Sequence, residues 1–349
     1  VQTRTLGRTG REVGVVGLGC WQLGGDWGSV GEDDALATLA AAVDAGVTFL
    51  DTADVYGDGR SERLVGRFLR ESGASGVTVA TKMGRRADPH VAGAYSLENF
   101  RAWNDRSREN LGVDTLDLVQ LHCPPSEVYA TDAVFDALDT LVQEGRTAAY
   151  GVSVETVAEG LAAVARPHVA SVQVILNPLR LKPVTEFLPA AAEAGVGVVV
   201  RVPLASGLLS GKYDESTTFA ADDHRTYNRE GAAFDIGETF AGVPFEVGVQ
   251  AARRLAGVFG EAPLAGATLR WIVEQPGVSV VIPGARNGEQ ARRNAAAADL
   301  PAPTEEQQRA VRRLVFDVLE REDVAALEEL GAKLLTRLDP HSRFAASEG

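Results

Sequence analysis

Eight short, almost unbroken apolar stretches punctuate residues 13 to 283, and each is followed by a stretch with helical periodicity. The apolar stretches fall at 13–18, 47–51, 77–82, 115–122, 148–153, 169–176, 196–202 and 278–283. The helical ones fall at 31–46, 60–71, 97–111, 132–144, 155–165, 183–194, the pair 245–259 and 264–275, and 286–297. A strand that is apolar at every position is buried on both faces, which is the signature of a parallel sheet. Eight such units in succession, with no linker dividing them, predict an α/β chain folded as a (β/α)8 TIM barrel rather than a doubly wound sheet. Residues 3–16 read as an N-terminal β-hairpin about the turn Gly7-Arg8-Thr9-Gly10. The barrel with its hairpin is assigned to residues 1–300. Residues 301–349 are assigned to extra C-terminal helices packed on the barrel. An amphipathic helix is expected at 304–321, with Val311, Leu314, Val315, Val318 and Leu319 on one face, and a second helix near 322–337.

Composition narrows the partners. A net charge of −14 argues against nucleic acid, whose phosphates need a basic surface. No window approaches the unbroken apolar length of a membrane helix, and the first residues, VQTRTLGRTGREVG, lack the form of a secretory signal. Cys20 and Cys123 form neither a disulfide framework nor a metal-ligand pattern, so no metal is expected. These features read as a cytoplasmic protein. Lysine is rare: Lys82, Lys182, Lys212 and Lys333 are the full set, so a lysine at a strand end stands out.

In a barrel of this kind the reactive groups sit where the strands end. The strand ends carry Asp51 with Tyr56 just beyond, Lys82, His122, Ser153, Gln173 with Asn177, and Arg201, and the last strand runs into Pro283-Gly284. Taken singly, each has an ordinary structural role: Asp51 as a helix cap, Lys82 in a structural ion pair, His122 as a core histidine. Parallel strands bring all of these ends to one rim, however. An ammonium lowers the pKa of a nearby phenol, a carboxylate keeps the ammonium charged, and a histidine can hydrogen-bond a substrate oxygen. Such a set is suited to protonating a carbonyl oxygen as negative charge develops on it. The glycines of Gly17-Leu18-Gly19-Cys20-Trp21-Gln22 do not complete a G-x-G-x-x-G phosphate loop.

The motif D-T-A-x-x-Y-G at 51–57, the strand ending T-K at 81–82, and L-V-Q-L-H at 118–122 resemble the aldo-keto reductases. The similarity continues through YGVS at 150–153, VPLASGLLSGKY at 202–213 and IPGARNGEQARRN at 282–294. The resemblance implies an NADPH/NADP+-dependent oxidoreductase that reduces an aldehyde or ketone, or runs in reverse on an alcohol. Tyr56 would be the general acid, Lys82 would lower its pKa, Asp51 would keep Lys82 charged, and His122 would orient the carbonyl. Ser153 and Gln173 would hold the nicotinamide carboxamide, and Gly19, Cys20 and Trp21 would also meet the cofactor. Leu204, Ser206, Gly207 and Lys212 would fold over the pyrophosphate, and Gly284, Arg286, Gln290 and Asn294 would bind the adenosine end. Arg286 is expected to open the last barrel helix, where free N–H groups favour an anion and a 2′-phosphate would select NADPH. Gln290 and Asn294 share one helix face, which suits a planar base.

Two departures from the family pattern have consequences. Val154 stands where an asparagine is frequent, which removes one carboxamide contact. Arg201 stands where an aromatic residue often stacks on the nicotinamide. A planar guanidinium can stack there too, but as a cation it would disfavour the oxidised, positively charged ring and bias the site towards NADPH. Trp21 and Trp27 are expected to line the substrate mouth with Tyr56 and His122. The long segment from Phe219 to Phe240, carrying His224, Arg225, Tyr227, Asn228 and Phe234, reads as a lid or as an insertion. Two rival readings stay open: a Schiff-base aldolase using Lys82, and a non-catalytic NADPH-binding regulatory or redox-sensing subunit. The C-terminal extension offers a surface for self-association.

Overall fold

The computed structural model describes residues 2–24, 30–221, 223–232 and 235–315. A two-stranded antiparallel hairpin comes first, β1 (Thr3–Thr5) paired with β2 (Glu12–Gly14). Eight parallel strands follow: β3 (Leu18–Gly19), β4 (Phe49–Asp51), β5 (Thr78–Met83), β6 (Leu118–His122), β7 (Tyr150–Ser153), β8 (Ser171–Ile175), β9 (Gly197–Arg201) and β10 (Val278–Val281). Each pairs with the next along the chain. The ring closes where Gly17 N donates to Val281 O (2.8 Å), Val281 N to Val15 O (3.0 Å) and Gly19 N to Pro283 O (3.1 Å). The expected barrel is therefore present. Its first strand is displaced from 13–18, because Val13 belongs to the hairpin and only Leu18 and Gly19 pair with β4.

The alternation of a strand explains two separate cores. Phe49, Ala80, Leu118, Val199 and Val280 point inward and pack on Leu6 and Val13 of the hairpin region, which plugs the bottom of the barrel. Their outward neighbours Leu50, Val79, Val119, Val198, Val200 and Val281 join the larger core under the helices. Two residues further along the same inward faces stand Asp51, Lys82, Gln120 and Arg201. The apolar floor thus gives way to a polar top layer.

The helices carry local start signals. Glu32, Asp33 and Asp34 fill the first turn of the helix Glu32–Asp44, where the helix dipole favours acids. Ser96 caps Leu97–Leu111 by accepting from Asn99 N, and Thr156 with Glu159 closes a capping box on Val157–Val164. The helix expected at 183–194 is instead two pieces, Lys182–Thr185 and Phe187–Glu193. Pro189 explains the break: it has no N–H for Thr185 O, and its ring would clash with that carbonyl in a continuous helix. At the C-terminal side the helix Glu305–Val315 is held by Gln307 Nε2 donating to Val258 O (3.1 Å), and Val311 is fully buried. The rest of the expected extension, including the helix near 322–337, lies outside the described residues. Among the described residues no helix is long and apolar enough to cross a membrane.

Candidate active site

Asp51 ends β4 and pairs in register with Ala80, so Lys82 stands two residues on, on the same inward face of the neighbouring strand. Lys82 Nζ donates to Asp51 Oδ1 (2.5 Å), to Thr52 O (2.9 Å) and to the Tyr56 hydroxyl (3.2 Å). The second carboxylate oxygen, Oδ2, accepts from Gln173 Nε2 (2.8 Å) and Gln120 Nε2 (3.2 Å). Asp51 and Lys82 are both buried. Burial opposes the charge on Lys82, but Asp51 and Tyr56 outweigh it and hold the ammonium above its ordinary pKa. For Tyr56 the balance runs the other way from the expectation. Burial pushes its hydroxyl up to about 12, and Lys82 only offsets part of that rise. The imidazole of His122 lies edge-on to the Tyr56 ring at 5.9 Å. Burial first, then the cations Arg85, Lys82 and Arg201, hold it well below the ordinary histidine value, so it is neutral. Its Nδ1 is buried without a protein partner.

Tyr56 is placed by a crossing of two loops. Gly57 has φ +57, and a Cβ there would come within 2.2 Å of Gly24 O. The turn after Tyr56 therefore lies directly on the segment that follows β3. Trp21, from that segment, stacks on the Tyr56 ring at 6.0 Å and meets His224 at 5.3 Å.

These groups stand at one side of a cavity of about 770 Å3. Asp51, Tyr56, His122, Gln173 and Arg201 line it, as do Gly19, Trp21, Leu204, Ser206, Gly207, Lys212, Gly284, Arg286, Gln290 and Asn294. Three sequence candidates do not line it. Lys82 reaches it only through Asp51 and Tyr56. Cys20 is buried, its thiol directed at Leu18 O (3.7 Å). Ser153 is buried, with Cys123 Sγ 3.6 Å from its hydroxyl. Trp27 and Phe234 lie outside the described residues.

Two expectations need correcting, and two cavity residues have a further contact. The last barrel helix begins at Gly288 rather than Arg286, and Asn287 caps it by accepting from Gln290 N (2.9 Å). Gln290 and Asn294, which line the cavity, also make hydrogen bonds within the protein. Gln290 Oε1 accepts from Arg286 N (2.8 Å) and Asn294 Nδ2 donates to Gly284 O (3.1 Å), so both pin the preceding loop. Arg201 is not a lone cation. Its guanidinium pairs with buried Glu238 and donates to Val154 O (2.7 Å), so the charge argument for disfavouring an oxidised ring loses its force.

Sequence reasoning missed Gln120, Arg85 and Glu238. Gln120 was readable, since Leu118, Gln120 and His122 alternate onto one face. Glu238 carried no such signal, because it belongs to the irregular segment after β9. That segment crosses the rim in short helical turns, His224–Tyr227, Ile236–Glu238 and Phe240–Gly242. Ser206 Oγ ties it down, donating to Glu238 O (2.7 Å) and accepting from Phe240 N (3.3 Å). Arg225 pairs with Asp223 and donates to the Tyr213 hydroxyl (2.6 Å).

A closed parallel barrel with this polar rim has known relatives. The chain belongs to the aldo/keto reductase family, whose model matches residues 15–314, and it is an oxidoreductase by that membership. It is 30% identical over 295 residues to an aldo-keto reductase of Bacillus subtilis (strain 168), covering 81% of this chain and 84% of that one. It is 34% identical over 220 residues to L-galactose dehydrogenase of Arabidopsis thaliana, covering 60% of this chain and 67% of that one. Among solved structures, the holo form of an aldo-keto reductase from Bacillus halodurans superposes with a TM-score of 0.71 at 25% identity, covering 90% and 96% of the two chains. The glycerol dehydrogenase of Gluconobacter oxydans gives 0.71 at 29% identity, covering 88% and 93%.

Proposed function

We propose that this chain is an NADPH-dependent carbonyl reductase in which Tyr56 is the general acid. The observation that carries the reading is Lys82 Nζ, buried and bound at once to Asp51 Oδ1 and to the Tyr56 hydroxyl. The cavity suits a nicotinamide dinucleotide in two respects. Its volume is that of a small-molecule site. Lys212, Arg286 and Arg293 also line it, a cationic set that matches phosphates. Arg286 is the residue we assign to a 2′-phosphate.

The bound coenzyme would supply the hydride. The protein's part is to hold the carbonyl and deliver the proton. Neutral His122 hydrogen-bonds the carbonyl oxygen, and Tyr56 gives that oxygen its hydroxyl proton as charge develops there. Lys82 stands 3.2 Å from the resulting phenolate oxygen and stabilises it, while Asp51, itself fixed by Gln120 and Gln173, keeps Lys82 charged. The buried, triply bonded Lys82 also argues against the aldolase reading, which needs a neutral amine free to reach a carbonyl.

Tyr56→Phe should lower kcat by about a hundredfold or more. NADPH affinity, read from the fluorescence of the bound coenzyme, should not change. Turnover retained in this variant would refute the assignment.

A further inference from the structure

Arg201 ends β9, but its guanidinium leaves its own strand. His122, Ser153 and Gln173 stand in register on β6, β7 and β8 and share the inner face. Gln173 pairs with Val199, so Arg201 stands two residues further up the inner face of β9. From there Arg201 Nη2 reaches back across β8. It donates to Val154 O (2.7 Å) and to Cys123 Sγ (3.7 Å), on the residues that follow Ser153 and His122. The guanidinium therefore spans the row of strand ends that carries His122 and Gln173. Its Nη1 pairs with Glu238, from the segment after β9, and both residues are buried at the cavity wall. Burial opposes the charge on Arg201, but Glu238, then Cys123 and Tyr56, outweigh it and keep the guanidinium charged.

Resting on the carbonyl-reductase reading, we propose that Glu238 is a specificity-determining residue for the oxidation state of the coenzyme. It cancels the charge of Arg201, so that the site retains NADP+ as well as NADPH. The two forms share their phosphates and adenosine and differ by one positive charge on the nicotinamide ring. A hydride can pass only to a carbonyl held at Tyr56 and His122, so the ring belongs beside these groups, along the strand ends that Arg201 spans. An uncompensated guanidinium in this buried corner would repel the oxidised ring and spare the reduced one. A carboxylate bonded to the same guanidinium removes that discrimination. An ion pair with a structural role alone would affect both forms alike. The Glu238 backbone is held independently of its side chain: its carbonyl accepts from Ser206 Oγ (2.7 Å), and its N–H donates to Asp235 O (3.0 Å). Glu238→Gln can therefore remove the charge and leave the segment in place.

The test is calorimetric titration of each protein with NADP+ and with NADPH at one pH and ionic strength. The quantity compared is the ratio Kd(NADP+)/Kd(NADPH), from which contacts to the shared parts of the coenzyme cancel. Arg85, which also lines the cavity, is unchanged in every variant and cancels as well. In Glu238→Gln the ratio should rise by about tenfold or more, the scale of one uncompensated charge at a buried site. The double variant Arg201→Met with Glu238→Leu replaces the buried pair by apolar groups of similar size, a change that cores often tolerate. There the ratio should return to within about threefold of wild type, a window of well under one tenfold step in affinity. A ratio unmoved in Glu238→Gln overturns the inference, and so does a raised ratio that persists in the double variant. Equal loss of both forms in Glu238→Gln would make Glu238 a structural residue and also overturns it. Each of these results leaves the carbonyl-reductase reading standing, whereas wild-type protein that binds neither form overturns both.

Discussion

Asp54 stands two residues before Tyr56, is fully buried, and has no hydrogen-bond partner for either carboxylate oxygen. Burial pushes its pKa up to about 7, Glu62 adds to the rise, and Arg86 and Arg106 offset part of it. The folded chain therefore holds the Asp54 proton more tightly than the unfolded chain, where a carboxyl titrates near ~3.9. The stability this contributes is complete below about pH 4 and is lost as pH rises through about 7. On the order of 2–4 kcal/mol is at stake across that window. Asp54→Asn should melt higher than wild type at pH 8, with the gap closing towards pH 4. Thermal melts at pH 4, 6 and 8 measure this directly, and a gap that is constant with pH would show that Asp54 ionises freely. Asp54 also marks the limit of reading single residues from sequence. Asp51, Tyr56, Lys82 and His122 could be picked out because strand ends converge in a barrel, and their contacts follow that geometry. Nothing in the sequence distinguishes Asp54 from Asp51 by burial, or shows that Arg201 would find Glu238 thirty-seven positions later.

At the scale of elements, the loop bearing Tyr56 is held from outside the barrel. Arg106, on the helix Leu97–Leu111, donates to Asp54 O (3.2 Å), Asp58 O (3.0 Å) and Asp58 Oδ1 (2.8 Å). It thus brackets Tyr56 on both sides, and Arg86 adds a second hold on Asp58. Asp58 itself has φ +50, a conformation that needs support in a residue other than glycine. The Asp58 side chain is 75% exposed, so the ion pairs should add little to global stability. Their effect should fall on placement. Arg106→Met should shift the melting temperature little but lower kcat by about tenfold or more, since a displacement of ~1 Å can cost about a hundredfold. NADPH affinity and KM should stay close to wild type. A variant with unchanged kcat would show that Gly24 and Gly57 alone suffice to place Tyr56. Elements were legible to the degree that local chemistry announces them. The acidic start at Glu32–Asp34 marked its helix, whereas Pro189, a helix breaker in plain view, was outweighed by the apolar periodicity around it.

For the whole molecule, eight apolar strands with eight helical partners sufficed to predict the barrel, because few topologies can bury that many two-sided strands. The mode of closure was less visible. Val13, Val15 and Val16 read as one continuous strand, yet Val13 plugs the barrel floor while Val15 and Val16 join the outer core. The plug is fastened at one very close approach. A Cβ on Gly197, the first residue of β9, would come within 2.8 Å of Gly7 N and Leu6 C in the hairpin turn. Arg8 secures the same turn by donating to Arg166 O (3.1 Å), Pro167 O (2.7 Å), Val169 O (3.1 Å) and Ala194 O (2.7 Å). Gly197→Ala must therefore push backbone against backbone, and it should destabilise the fold by about 2–3 kcal/mol, the upper part of the range for overpacked cores. Gly10→Ala is the matched control. Gly10 has φ +66, but a Cβ there meets nothing within 4 Å, so only about 1–2 kcal/mol of conformational strain applies. Denaturant titration should rank Gly197→Ala below Gly10→Ala and both below wild type. The plug closes the end of the barrel opposite the strand termini that carry Asp51 and Lys82, so the surviving folded fraction of each variant should keep its kcat. A loss of kcat in Gly197→Ala without a loss of stability would mean that the floor of the barrel is coupled to its rim.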